Sequence, residues 1–291
     1  MKKILTRSIS GAIYVAIIVV SIYLGQWIGN FNLGDLVFIF LITVIGMIGV
    51  HEAVSNLHKS GRQVNRVLCY FLAAMVFLTF IGCYIFTSAE KWAVQESAAK
   101  TSLMLSIGLL LLMPTVTLIL ELFRNEKEPF ASVGHTLLSV IWVVIPMISL
   151  IYIHTMDYKM LMLLFILIWV NDTFAYLTGM KFGKHKMWER HSPNKTWEGT
   201  FGGLFFCLLA AIFIGPVLTG EHSRILLAII GLVSSVFGTL GDLVESMFKR
   251  SCGIKDSGNI MPGHGGILDR FDSLLASAPF LLAILLISNI Q

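Results

Sequence analysis

The sequence predicts an all-α, polytopic integral membrane protein with about nine transmembrane helices. Its composition is the first reason: of 291 residues, 56% are apolar and 13% charged, against roughly 45–50% and about 25% in soluble domains. Mean hydropathy is +0.81, and so few charges cannot cover the exterior of a water-soluble fold. The second reason is a series of nine apolar runs, each near the about 20 residues a helix needs to cross hydrocarbon. The third is that basic residues gather on alternate connections.

The first run, 9–25, follows Lys2, Lys3 and Arg7. No small-x-small cleavage pattern comes after it, so it reads as a span and not a removed leader. Runs two and three, 33–51 and 67–86, flank a connection carrying Lys59, Arg62 and Arg66. Runs four and five, 102–123 and 136–153, flank Arg124 and Lys127. Runs six to nine cover 158–180, 199–219, 224–248 and 271–289. With the N-terminus inside, alternation leaves only Lys91, Lys100, Lys159 and Arg224 outside among the 21 basic residues. That asymmetry predicts a cytoplasmic N-terminus. Residues 1–291 read as a single membrane domain, for no repeat or long soluble connection interrupts them. Cys69, Cys83, Cys207 and Cys252 have no paired spacing and read as packing residues. His135 and His154, at span ends, read as interfacial. His51-Glu52 resembles the start of a zinc-protease motif, but no second histidine follows at the needed spacing.

The two halves differ. Residues 1–155 have short connections and few polar groups within spans, whereas 156–291 carry polar residues inside helices and long, basic, glycine-rich inner loops. Chemistry is therefore expected at the cytoplasmic end of the C-terminal half.

Four constellations stand out there. At 100° per residue, Asp242, Glu245, Ser246 and Lys249 share one face at the inner end of span eight. Charges at membrane depth are costly and face a protein interior or wet cavity, although Glu245 and Lys249 also fit a snorkelling i,i+4 pair. Next come Lys255-Asp256-Ser257-Gly258 and Pro262 to Asp272, where Gly263, Gly265 and Gly266 allow backbone amides to approach an anion. Asp269 and Asp272, one turn apart at the start of span nine, suit Mg²⁺ or simply favour the helix dipole. Third, Ser192-Pro193-Asn194-Lys195-Thr196 precedes span seven. Ser192 and Pro193 fit an N-cap and first turn, and Lys195 with the helix start fits a phosphate seat. The neighbouring Lys181, Lys184, Lys186 and Arg190 obey the orientation rule or bind anionic headgroups. Fourth, Asn171 and Asp172 lie inside span six and need partners, functional or interhelical. Gly199-x-x-x-Gly203 permits close helix packing, between chains or within one.

The block Ser246-x-Phe248-Lys249-Arg250, Lys255-Asp256-x-Gly258 and His264-Gly265-Gly266-Ile267-x-Asp269-Arg270-Phe271-Asp272 resembles the signature of phosphatidate cytidylyltransferases. Trp169–Tyr176 and Ser192–Gly199 also look like family segments. The resemblance covers roughly 165–280; before that only the pattern of spans aligns. It implies condensation of CTP with phosphatidate to CDP-diacylglycerol and pyrophosphate, with Mg²⁺ as cofactor, in a bacterial-type inner membrane and as a homodimer. It selects Asp242 and Asp269 as metal ligands, with Asp272 a further possibility. Lys249, Arg250, Lys255 and Arg270 would offset phosphate charge, with Lys255 and Asp256 in the catalytic set. Ser192, Lys195, Thr196, Ser246, His264, Gly265, Gly266, Asn171 and Asp172 complete the expected substrate contacts. The expected partners are CTP, phosphatidate and membrane lipids, with no nucleic acid. The competing readings are a CTP-dependent polyprenol kinase, which would release CDP, and an ion-coupled transporter using the buried Asp172 and Asp242.

Overall fold

The computed structural model describes residues 2–88, 95–260 and 265–288, with side chains described throughout except at 2–8, 31–32, 86–88 and 95–99. The described residues form nine α-helices: α1 (Lys2–Trp27), α2 (Phe31–Lys59), α3 (Arg66–Ser88), α4 (Gln95–Glu121), α5 (Pro129–Met156), α6 (Tyr158–Phe182), α7 (Trp197–Thr219), α8 (Arg224–Ser251) and α9 (Leu268–Ser288). A short hairpin, β1 (Lys186–Trp188) and β2 (Ser192–Thr196), lies between α6 and α7. Each helix contains a stretch long and apolar enough to cross a membrane. Lipid offers no hydrogen bonds, so chain that spans it must close its own backbone ladder, and helices do so. The chain is an all-α polytopic integral membrane protein.

The helices fall into two compact units, one of residues 1–156 with 256–269, the other of 157–255 with 270–291. In the first unit α2 packs on α1, α3 and α5, burying Phe38, Ile42, Val50 and Val54 completely. This helix runs eight residues past the predicted end at 51. Ala53, Val54 and Leu57 continue its apolar face, and the polar Glu52 and Asn56 turn inward and are buried with them. The first helical residue of α5 is Pro129, seven positions ahead of the predicted start. Proline suits that position, where no backbone N–H is needed.

His154 corrects an expectation. It is buried within the first unit, not exposed at an interface. Its Nδ1 lies 3.2 Å from Asp35 Oδ1 and its Nε2 3.2 Å from the Ile22 carbonyl, while Tyr84 donates its hydroxyl to Asp35 Oδ2 at 2.6 Å. The Ile22 carbonyl partners one ring nitrogen, and the Asp35 carboxylate stands within ion-pair distance of the other.

In the second unit, Asp157 caps α6 by accepting from Lys159 N at 2.8 Å, and Ser223 caps α8 by accepting from Leu226 N at 3.3 Å. The Ser192–Pro193 segment is not the cap of α7. It forms β2, antiparallel to β1, with Trp188 opposite Ser192 and Lys186 opposite Thr196. Pro193 sits in a two-stranded ribbon, where its missing N–H costs little. The cap is Thr196, whose extended backbone carries the strand to the helix and whose Oγ1 accepts from Gly199 N at 3.2 Å.

The glycines of α7 act within the chain. A Cβ at Gly199 would stand 2.7 Å from the Ala175 carbonyl oxygen, and one at Gly203 would stand 2.8 Å from that of Asn171. The α6 and α7 backbones thus touch along a small-residue stripe. Gly203→Val is expected to destabilise the detergent-solubilised protein by about 1–3 kcal/mol, the usual cost of overpacking. Thermal unfolding of purified protein checks this, with Gly203→Ala showing a smaller loss.

Candidate active site

The second unit gathers a dense charged cluster at the C-terminal end of α8. The spacing that puts Asp242, Glu245, Ser246 and Lys249 on one helix face does so here, and Gly241 opens that face to α9. A side chain at Gly241 would collide with the Asp272 carbonyl oxygen, so its absence lets Asp272 stand beside Asp242. One carboxylate oxygen from each of Asp242, Glu245 and Asp272 lies within 4.8 Å of the others. Two ammonium groups answer them. Lys195, from β2, has its Nζ 2.7 Å from Asp242 Oδ2 and donates to the Thr239 carbonyl at 3.2 Å. Lys249 Nζ is 2.6 Å from Glu245 Oε2.

The Glu245–Lys249 pair is the i,i+4 contact foreseen, but it does not snorkel: the side chains are 0% and 14% exposed. Asp242 and Lys195 are more open, at 34% and 24%. Ser246 Oγ donates to Asp242 Oδ1 at 3.4 Å, and the Ser273 amide donates to Asp272 Oδ1 at 2.6 Å. Three carboxylates against two ammoniums leave one negative charge in excess. At an effective dielectric near 20, two like charges about 5 Å apart repel by roughly 3 kcal/mol. The cluster therefore favours an added cation.

The donor set fits Mg²⁺. Oxygens on one octahedral ion are at most about 4.2 Å apart, twice the metal–oxygen distance. Neighbouring ligands on such an ion are only about 3.0 Å apart, so oxygens lying up to 4.8 Å from one another would have to draw together to share it. Asp242 and Asp272 suit the role better than Glu245, whose fully buried carboxylate is engaged by Lys249.

Asn171 ties α6 to α8. Its Oδ1 accepts from Ser235 Oγ at 2.6 Å, and its Nδ2 faces Thr239 Oγ1 at 3.4 Å and Asp172 Oδ1 at 3.3 Å. Its amide is thus committed to the helix interface, and it orients Asp172 next to it. At the C-terminal end of α8 a cavity of about 310 Å³ is lined by Arg190, His191, Met247, Arg250 and Ser251. Two guanidiniums at one cavity suit a phosphate. Lys255 is exposed in the turn after α8.

In the first unit, Asp256 is exposed and Asp269 is engaged. Asp269 Oδ2 accepts from Ser257 N at 2.8 Å, Ser257 Oγ at 2.9 Å and Gly266 N at 2.8 Å. Gly265 has φ +85°, and a Cβ there would collide with the Asp269 carboxylate. The turn needs glycine on both counts. Arg270 and Ser192 lie at or near the surface and Thr196 is buried as the α7 cap. His264 and Gly263 lie outside the described residues.

Comparison with known proteins adds the lineage. Residues 5–288 match the model of the cytidylyltransferase family. The chain belongs to the cytidylyltransferase family. It is 34% identical over 283 residues to the phosphatidate cytidylyltransferase of Bacillus subtilis, covering 96% of this chain and 95% of that one. It is 33% identical over 256 residues to that of Staphylococcus aureus, covering 88% and 92%, and 42% identical over 181 residues to that of Staphylococcus epidermidis, covering 62% and 69%. Similarity thus extends through the N-terminal helices, where the sequence alone aligned only the pattern of spans.

Two residues of this cytidylyltransferase are given no role by the sequence reading, although Glu52 is considered there and set aside as part of a zinc motif and Glu198 lies within the Ser192–Gly199 segment. Glu198, in the first turn of α7, accepts from the Lys184 amide at 3.1 Å, the His185 amide at 3.2 Å and His185 Nδ1 at 2.6 Å. It fixes the chain as it enters the hairpin. Glu52, on α2, is buried and accepts from Ser257 Oγ at 2.9 Å and from the Ile267 and Leu268 amides at 3.0 Å each. The signal for Glu52 was present: a carboxylate continuing an apolar helix at membrane depth is as costly there as in α8.

Proposed function

We propose that this chain is a phosphatidate cytidylyltransferase, joining CTP and phosphatidate to give CDP-diacylglycerol and pyrophosphate. The observation that carries the proposal is the meeting of Asp242 and Asp272 with Lys195 and the buried Glu245–Lys249 pair, in a chain similar over almost its full length to an enzyme of that name. A phosphatidate oxygen attacks the α-phosphorus of CTP. A new P–O bond forms, the bond between the α-phosphorus and its bridging oxygen breaks, and pyrophosphate leaves with the electron pair. The attacking oxygen is already ionised near neutral pH, so the reaction needs no general base. What it needs is a way to bring two anions together, and that is the work of fixed positive charge.

Asp242 and Asp272 are the carboxylates proposed to hold Mg²⁺; Asp269 is assigned to the metal by the family signature alone. When bound, Mg²⁺ would neutralise triphosphate charge and make the α-phosphorus more electrophilic. Lys195 and Lys249 lower the negative potential at the cluster, and the Arg190–Arg250 cavity offers guanidiniums to a phosphate. The basic-residue asymmetry supports a cytoplasmic N-terminus and cytoplasmic site loops in a bacterial cytoplasmic membrane. Family resemblance supports a homodimer.

Purified full-length protein in phosphatidate vesicles with CTP and Mg²⁺ is expected to release one pyrophosphate for each CDP-diacylglycerol formed. Release of CDP in place of pyrophosphate would identify a lipid kinase instead. Electrogenic uptake without nucleotide turnover would identify a transporter.

A further inference from the structure

The first unit joins two stretches of chain about two hundred residues apart through one buried side chain. Glu52 lies about two turns before the C-terminal end of α2, and its carboxylate accepts three hydrogen bonds, all from beyond residue 256. One turn further, Asn56 Nδ2 donates to the Ser257 carbonyl at 2.7 Å. Both side chains are buried, at 4% and 6% exposure. The fit is close: a Cβ at Gly258 or Gly266 would collide with the Glu52 carboxylate. Small residues are required there so that the chain can lie against it.

Ser257 links this seat to Asp269. Its Oγ is 2.9 Å from Glu52 Oε2 and 2.9 Å from Asp269 Oδ2. A hydroxyl carries one proton and donates to one acceptor at a time, so the two carboxylates share a single donor. Backbone amides supply the rest: Ile267 and Leu268 to Glu52, Ser257 and Gly266 to Asp269. The two acidic groups hold the same turn from opposite sides.

We infer that Glu52 is a positioning residue for cytidylyl transfer: its carboxylate seats the Ser257 and Gly266–Leu268 backbone and thereby fixes the orientation of Asp269. This rests on the reading of Asp269 as a functional carboxylate. A charged acceptor is needed because three donors converge on it. Glutamine offers one oxygen and turns an N–H₂ group toward amides that also donate, so one of the Ile267 and Leu268 bonds is lost. Because protein donors already occupy the Glu52 carboxylate, its loss is expected to disturb orientation more than affinity.

The test uses full-length protein in phosphatidate-containing detergent micelles, with CTP and Mg²⁺. Glu52→Gln is expected to lower kcat about tenfold or more while leaving KM for CTP and phosphatidate within about twofold. Amide hydrogen exchange at Ile267 and Leu268 should quicken in the same variant, with unchanged exchange in helices remote from residue 52. Ser257→Ala should lower kcat by a smaller factor, and it carries the test if Glu52→Gln fails to insert. Glu52→Asp, which keeps the charge, should recover part of the lost turnover. Unchanged exchange at Ile267 and Leu268, or kcat within about twofold of the parent in both Glu52→Gln and Ser257→Ala, overturns the inference. Near-parental turnover in Asp269→Asn instead overturns the reading beneath it, whatever exchange reports.

Discussion

Asp242→Asn is expected to lower turnover in CDP-diacylglycerol synthesis by about two to three orders of magnitude, the scale for losing one preorganised electrostatic group at a reacting centre. The fold should survive. Asparagine keeps the size of the side chain and an oxygen toward Lys195, and Asp242 is one third exposed. Removing one of three carboxylates that crowd within 4.8 Å of one another also relieves like-charge repulsion. Thermal stability is therefore expected to hold or rise as activity disappears. Loss of both together would mark Asp242 as a structural residue, and parental turnover would remove it from the site. Asp272→Asn should behave alike, because its carboxylate completes the same cluster.

Lys249→Met is expected to act in the opposite sense, on stability first. Its ammonium is 2.6 Å from a carboxylate with no exposed surface. Removing one partner of a buried ion pair costs about 3–5 kcal/mol, because the remaining charge keeps its desolvation penalty without its counter-ion. The effect is larger here, as Glu245 also faces Asp242 and Asp272. Pairing the change with Glu245→Leu removes both charges and should restore most of the lost stability. Cytidylyl transfer should stay low in the double variant, since the positive charge beside the cluster is still missing. Chemical-denaturant or thermal unfolding, run beside turnover, separates the two effects. A double variant no more stable than Lys249→Met alone would refute this account.

The membrane helices were legible because a crossing needs a long apolar run and nothing else in the chain imitates one. Their ends were less so. α2 continues through His51, Glu52 and Asn56 because the last two point inward to polar partners supplied far along the chain, and no local pattern reveals a distant donor. The Asp242–Lys249 face was readable from helical spacing alone, since all its members lie within two turns. Asp272 as neighbour of Asp242 was not, because that contact depends on Gly241 admitting the α9 backbone. The hairpin at 186–196 was missed for a different reason. Ser-Pro is an equally good opening for a helix or an edge strand, and the choice fell to Thr196, whose hydroxyl reaches the Gly199 amide. His154 looked interfacial by position and is buried because Asp35 and the Ile22 carbonyl stand on either side of it.

The seat of Ser257 on α2 has a consequence for biosynthesis. The two residues it joins are 205 positions apart. At about 5–20 residues per second, roughly 10–40 s pass between translation of one and of the other. Throughout that interval the second helix has been made, yet the amides that will saturate its carboxylate do not exist. The nascent chain must keep Glu52 hydrated, protonated or shielded by the insertion machinery until residues 257–268 emerge. Emergence of residues 257–268, not entry of the early helices into lipid, then sets when the first unit can reach its final form.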